Sequence, residues 1–114
     1  MRKSFAWDQW NIGHIGKHAV TKAEAESVVE HAAPSYPRPV GDGKWLVRGQ
    51  TAAGRYLQVI YVIRAPGAAD MELDYEEMTL EDILQLTEEN PARFYVVHAR
   101  DLTRRESLNY RRSR

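Results

Sequence analysis

The stretch RFYVVHARDLTRRESLNYRR, residues 93–112, constrains the fold more than any other part of the chain. Its first half is dense in aromatic and β-branched residues, which suit a pleated strand. Asp101 or Thr103 then starts a helix. Thr103 and Glu106 have the S/T-x-x-E spacing in which the two side chains satisfy each other's free backbone N–H groups. The helix carries Arg104, Arg105, Arg111 and Arg112, and Arg100 precedes it. One strand therefore feeds one basic helix, and a functional reading must account for those arginines.

Upstream, the residues 44–50 and 55–63 read as two strands joined by the TAAG turn, an antiparallel hairpin. Phe5 and Trp7 suggest a short first strand, with Asp8 as a helix cap. A short helix follows over residues 10–18, weakened by Gly13 and Gly16, with Trp10, Ile12 and Ile15 expected to face the core. Thr21 and Glu24 form a second capping box. Ala25, Val28, Val29 and Ala32 recur at i, i+3, i+4 and i+7, the mark of an amphipathic helix that Pro34 ends. Residues 34–43 are a Pro/Gly-rich loop. Leu80, Ile83, Leu84 and Thr87 predict a further helix, capped by Thr79 and stopped at Asn90-Pro91. The expected order is β-α-α-β-β-(α)-β-α, an α+β domain with a small, mainly antiparallel sheet packed against helices. At 114 residues the chain suits one domain.

The formal net charge of zero conceals an asymmetry. Residues 1–64 hold 9 Lys/Arg and 5 Asp/Glu (+4), residues 65–92 hold 0 and 9 (−9), and residues 93–114 hold 7 and 2 (+5). The basic parts suit a polyanion, and the acidic insertion is able to mask them. With no cysteine there is no disulfide framework, thiol nucleophile or cysteine–zinc site. No run of about 18 apolar residues is present to span a membrane. The beginning MRKSFAWD lacks an apolar signal core, so a cytoplasmic location is the expectation.

Alternation along the strands puts Lys44, Arg48 and Gln50 opposite Trp45 and Val47. Leu57, Val59, Tyr61 and Ile63 form a core side, leaving Tyr56, Gln58 and Arg64 polar. In the last strand Tyr95, Val97 and Ala99 share one face, and Phe94, Val96, His98 and Arg100 the other. If the faces coincide, Lys44, Arg48, Gln58, His98 and Arg100 converge on one sheet surface. That surface is either an ordinary solvated face or a phosphate-binding one, where His98 moves protons near neutral pH. His14 and His18 stand at i, i+4, a metal-compatible spacing. They lack the intervening glutamate of HExxH and a third ligand, so packing is expected there and neither metal nor other cofactor is implied. Lys17 and His18 could reach a phosphate. The terminal arginines, with Tyr110 beside them, are either a solvated face or a nucleic-acid or acidic-partner surface.

Three segments in order resemble one family. Residues 7–28, WDQWNIGHIGKHAVTKAEAESV, are similar to the N-terminal signature of BrnT-family toxins: a Trp-Asp pair, an Asn, a Lys-His pair, then Val and a Thr-capped helix. GQTAAGRYLQVIYVIR, residues 49–64, resembles that family's middle hairpin. HARDLTRRESLNYRR, residues 98–112, resembles its Ala-Arg, Thr-Arg-Arg-Glu and Tyr ending. The resemblance implies a RelE/ParE-like fold, metal-independent RNA cleavage as the toxin of a type II pair, and a BrnA-type antitoxin as partner; a homo-oligomer is compatible with it. By position, Arg55, Tyr61 and Arg100 match family residues, as do Arg104, Glu106 and Tyr110 of the last helix. Lys44 stands where the family often has Arg. His98 stands at a Ser/Thr position, which either adds a proton-transfer group or is neutral, and the 65–92 insertion is longer than the family's link. For that chemistry the expected catalytic set is Arg100 and Arg55 as phosphate binders and His98 as base or acid, with Tyr61 or Tyr110 as the alternatives; Lys17, His18, Lys44, Arg48 and Arg104 are the expected RNA contacts. The rival expectation is a non-catalytic module that docks an acidic protein or nucleic acid on the basic sheet face and last helix.

Overall fold

Two alternating strands and a short turn set the centre of the sheet. In a computed structural model, which describes residues 4–64 and 93–113, β3 (Lys44–Gln50) and β4 (Tyr56–Arg64) pair antiparallel from Lys44↔Val62 to Gln50↔Tyr56. β5 (Arg93–Asp101) pairs antiparallel with β4 on its other side. The edges are β1 (Ser4–Ala6), parallel to β5, and β2 (Arg38–Pro39), antiparallel to β3. The order is β1-β5-β4-β3-β2, with helices α1 (Gln9–Gly16), α2 (Lys22–Glu30) and α3 (Arg104–Ser113). The protein is thus α+β, in nearly the element order expected. The acidic helix expected between Thr79 and Asn90 lies outside the described residues.

Each described helix starts where its cap dictates. Asp8 accepts from the Asn11 N–H at 3.0 Å while Asn11 Oδ1 accepts from the Asp8 N–H at 2.8 Å. Thr21 and Glu24 do the same for α2, and Thr103 and Glu106 for α3. α2 buries Ala25, Val28 and Val29 as its periodicity predicts. It lies so close to β3 that a Cβ on Gly49 would sit 3.2 Å from Val28 Cγ1.

Four expectations need correction. α1 buries Asn11 and Ile15, whereas Trp10 and Ile12 are exposed. Asn11 takes the core position because both its functions are satisfied there: the cap, and a bond from Nδ2 to the Ala6 carbonyl at 3.0 Å. α2 stops at Glu30, with His31 as cap residue, well before Pro34. The 34–43 loop contains β2, where Pro39 is tolerated because an edge strand needs no donor on its outer side.

The fourth correction concerns the faces of β5. Val59 pairs with Ala99 and Ile60 with His98, but Tyr61 pairs with Val96, so Val97 is an extra residue in a β-bulge. The bulge reverses the alternation midway. Val96 joins Ala99, Val59 and Tyr61 on the helix-covered core face, all 2% exposed or less. Tyr95 joins His98 and Arg100 on the opposite face. α3 crosses part of that opposite face, where Tyr110 lies 6.1 Å from the Tyr56 ring and 6.3 Å from that of Tyr36.

Candidate functional site

Arg48, Gln58 and Arg100 form one cross-strand row, since Arg48 pairs with Gln58 and Gln58 with Arg100. Side chains in such a row share a face. Gln58 Oε1 accepts from Arg48 Nε at 3.2 Å and Nη2 at 3.1 Å. Glu106 descends from α3 and bridges the two arginines: Oε2 accepts from Arg48 Nη2 at 3.0 Å and Arg100 Nη2 at 2.9 Å, and Oε1 from Arg100 Nη1 at 2.7 Å. Oε1 also takes the Thr103 N–H at 2.8 Å, so the cap aims the carboxylate at the sheet. The Arg100 side chain, then that N–H, hold the Glu106 carboxyl down at about 2. Glu106 reciprocally raises Arg100. Two cations share one carboxylate, and Arg48 Nη1 and Arg100 Nε have no partner among the described residues.

Arg55 stands in a different setting. Its Nε donates to Asp101 Oδ1 at 2.6 Å and Nη2 to Asp101 Oδ2 at 3.0 Å. Nη1 reaches the Ala19 carbonyl at 2.6 Å and Glu24 Oε1 at 3.2 Å, and Nη2 the His18 carbonyl at 2.9 Å. All five guanidinium N–H groups are therefore spent. The Asp101 side chain holds Arg55 protonated above its ordinary value, and Arg55 lowers Asp101. Burial pushes Glu24 up, but the Thr21 N–H and Arg55 outweigh it and its carboxyl is lowered. Arg55 ties the end of α1 and the start of α2 to the end of β5; as a phosphate binder it has no donor left to offer.

Tyr61 lies apart from the Arg48–Glu106–Arg100 cluster. It is 2% exposed on the core face, opposite Arg100, and burial pushes its phenol up. Tyr110 is buried between α3 and the sheet, on the same side as Glu106. Arg104 is exposed in the first turn of α3. Lys44 is exposed on the face of Arg48, at the far end of β3, and pairs with Val62 rather than with the arginine row.

His98 lies next along β5 from Arg100 on the same face, roughly 7 Å away by strand geometry. Its ring centroid is 5.8 Å from that of His18 and 6.5 Å from that of His14. Burial first, then the charges of Arg100, His18 and His14, lower its pKa from the ordinary value near 6.5. Lys17 and His18 are exposed at the end of α1. No group of three or more His, Cys, Asp or Glu among the described residues is arranged to hold a metal ion. No described helix is long and apolar enough to cross a membrane.

The row Arg48–Gln58–Arg100, with His98, is the convergence that alternation suggested. The sequence offers Glu106 as a cap and as a family match in the last helix, not as a bridge; the one carboxylate in a helix otherwise rich in arginine is the signal for that role. Fold and site together define a small α+β protein with a cationic, imidazole-bearing sheet face. No family model, curated protein or solved structure matches the chain.

Proposed function

We propose that this protein is a metal-independent endoribonuclease, the toxin of a type II toxin–antitoxin pair, acting in the cytoplasm and neutralised by a cognate BrnA-type antitoxin. The observation that carries the ribonuclease reading is the Arg48–Glu106–Arg100 bridge, with guanidinium donors that have no partner among the described residues, next to a half-buried histidine. The three BrnT-like segments support the toxin assignment.

In this reading neutral His98 takes the proton of the ribose 2′-OH. The 2′-oxygen attacks the adjacent phosphorus, the P–O5′ bond breaks, and a second imidazole, His18 or His14, returns a proton to the leaving 5′-oxygen. The products are a 2′,3′-cyclic phosphate and a 5′-hydroxyl. Arg100 and Arg48 stabilise the charge that grows on the phosphate oxygens. Glu106 is too acidic to be an effective base, so its part is to hold both guanidinium planes in place. The lowered pKa keeps His98 in its neutral form through neutral pH. The rate should therefore lose its base only as pH falls below about 6.5, the ordinary imidazole value. A His98→Ala variant that keeps this acidic limb would remove His98 from the base role.

The test is induced expression, without a partner, of wild type and Arg100→Ala at equal protein level. Growth arrest with RNA cleavage is expected for wild type, and both should vanish in the variant. Equal cleavage by the two would refute the site. Normal growth with intact RNA in wild type would favour the non-catalytic docking module.

A further inference from the structure

Rings and guanidinium form a continuous band beside the arginine row. Arg64 Cζ lies 3.7 Å from the centroid of the Tyr95 ring. Tyr95 is 6.3 Å from Trp10 with planes at 18°, and Trp10 is 4.7 Å from His14 with planes at 8°. His14 leads to His98 and His98 to His18. Two features of the sequence build this band. Trp10, His14 and His18 recur every fourth residue along α1 and the turn after it, which puts them on one side. The Val97 bulge puts Tyr95 on the face of His98.

Core packing does not explain it. Ile15 and Asn11 already anchor α1, while Trp10 remains 55% exposed. Asp8, beside the band, is occupied by the Tyr95 hydroxyl, which donates to its two oxygens at 3.1 and 3.0 Å. What the band offers is the exposed indole of Trp10, with imidazoles on one side and the Arg64 guanidinium on the other. Bases of single-stranded nucleic acid stack on such rings while phosphates meet the cations; a duplex keeps its base faces covered.

We infer that the band from Arg64 through Trp10 to His18 is a binding track for single-stranded RNA, with an unpaired base stacked on the exposed indole of Trp10 and flanking phosphates at Arg64 and His18. The inference rests on the ribonuclease reading and narrows its substrate to unpaired strands, which the track delivers to Arg48 and Arg100.

The experiment is an anisotropy titration of the full chain with a ~10-nucleotide 2′-O-methyl RNA, which cannot be cleaved, as single strand and as duplex. Wild type should prefer the single strand. Trp10→Leu should bind it about 5- to 100-fold more weakly with an unchanged far-ultraviolet circular dichroism spectrum, and Trp10→Phe should recover most of the loss. Arg64→Ala should lower the salt slope by about one phosphate contact, an independent reading if Trp10→Leu misfolds. Wild-type affinity in Trp10→Leu, or equal affinity for the duplex, overturns the track and leaves the ribonuclease reading standing. Absence of any RNA binding by wild type overturns both. Loss of self-association in Trp10→Leu, with no RNA bound by wild type, would make the patch a protein interface and overturn the track.

Discussion

The two arginine clusters use the same chemistry at opposite charge ratios. Around Arg55 one guanidinium serves two carboxylates and two carbonyls, giving −1 and no spare donor. Around Glu106 one carboxylate serves two guanidiniums, giving +1, and among the described residues Arg48 Nη1 and Arg100 Nε have no partner. The first cluster closes a junction between α1, α2 and β5. Among the described residues the second keeps a net positive charge on an open sheet face. Charge ratio, rather than the presence of arginine, separates an arginine that holds the fold from one that can hold a phosphate.

Cleavage should separate the clusters most widely. Losing one well-placed donor to a charged transition state typically costs about 100- to 1000-fold in rate. Arg100→Ala should show that loss with a smaller fall in melting temperature than Arg55→Ala, because Glu106 keeps Arg48 and its cap. Arg55→Ala should leave the rate per folded molecule near wild type. Single-turnover cleavage of a labelled RNA measures both; a collapse of the rate in folded Arg55→Ala would place Arg55 in the site after all.

Stability should show the reverse order. Arg55→Ala strands the Asp101 and Glu24 carboxylates and the carbonyls of His18 and Ala19. The Arg55 and Glu24 side chains are each 26% exposed and Asp101 58%, so solvent screening reduces the loss to about 2 kcal/mol, or roughly 10 °C in Tm. Arg55→Lys should not rescue it, since an ammonium has three donors and no planar fork. A thermal melt of Arg55→Lys that matches wild type would mean that net charge alone closes the junction.

How much of this was legible in the sequence follows from how local each cause is. The capping boxes at Thr21 and Thr103 act over three residues, and both appear where their spacing puts them. The β3–β4 register follows from a short turn, so the meeting of Arg48 with Gln58 was readable from alternation. The bulge at Val97 was not, because one extra apolar residue within a run of apolar residues leaves the pattern intact and changes only the pairing. Arg55 was read as a phosphate binder because its partners lie 31 to 46 residues away, and donor saturation is a property of all of them together. Trp10 was assigned to the core on hydrophobicity, a reading that fails when a polar residue, Asn11, fits the core better through its own hydrogen bonds.

The smallest expected effect concerns the bridging carboxylate. Glu106→Gln keeps the capping geometry, because an amide oxygen at the same position accepts the Thr103 N–H. It removes the charge between Arg48 and Arg100, and it replaces Oε2, which accepts from both Nη2 groups, with an amide NH2 that cannot accept. In the folded protein this carboxyl is held at about 2 against an ordinary 4.5, so folding favours the ionised form. Its contribution is fully present above pH 4.5 and is lost as pH falls from there toward 2. With the Glu106 side chain 20% exposed, solvent screening limits the difference at neutral pH to about 1–2 kcal/mol. Urea midpoints of wild type and Glu106→Gln should therefore stand apart at pH 7 and converge as pH drops through that window. The freed pair of guanidiniums should meanwhile bind an uncleavable RNA more tightly while cleaving RNA more slowly, because their planes are no longer held. Midpoints that differ by the same amount at pH 7 and pH 3 would show that the carboxylate charge is not what joins the two arginines, and the contrast with the Arg55 junction would then lose its electrostatic basis.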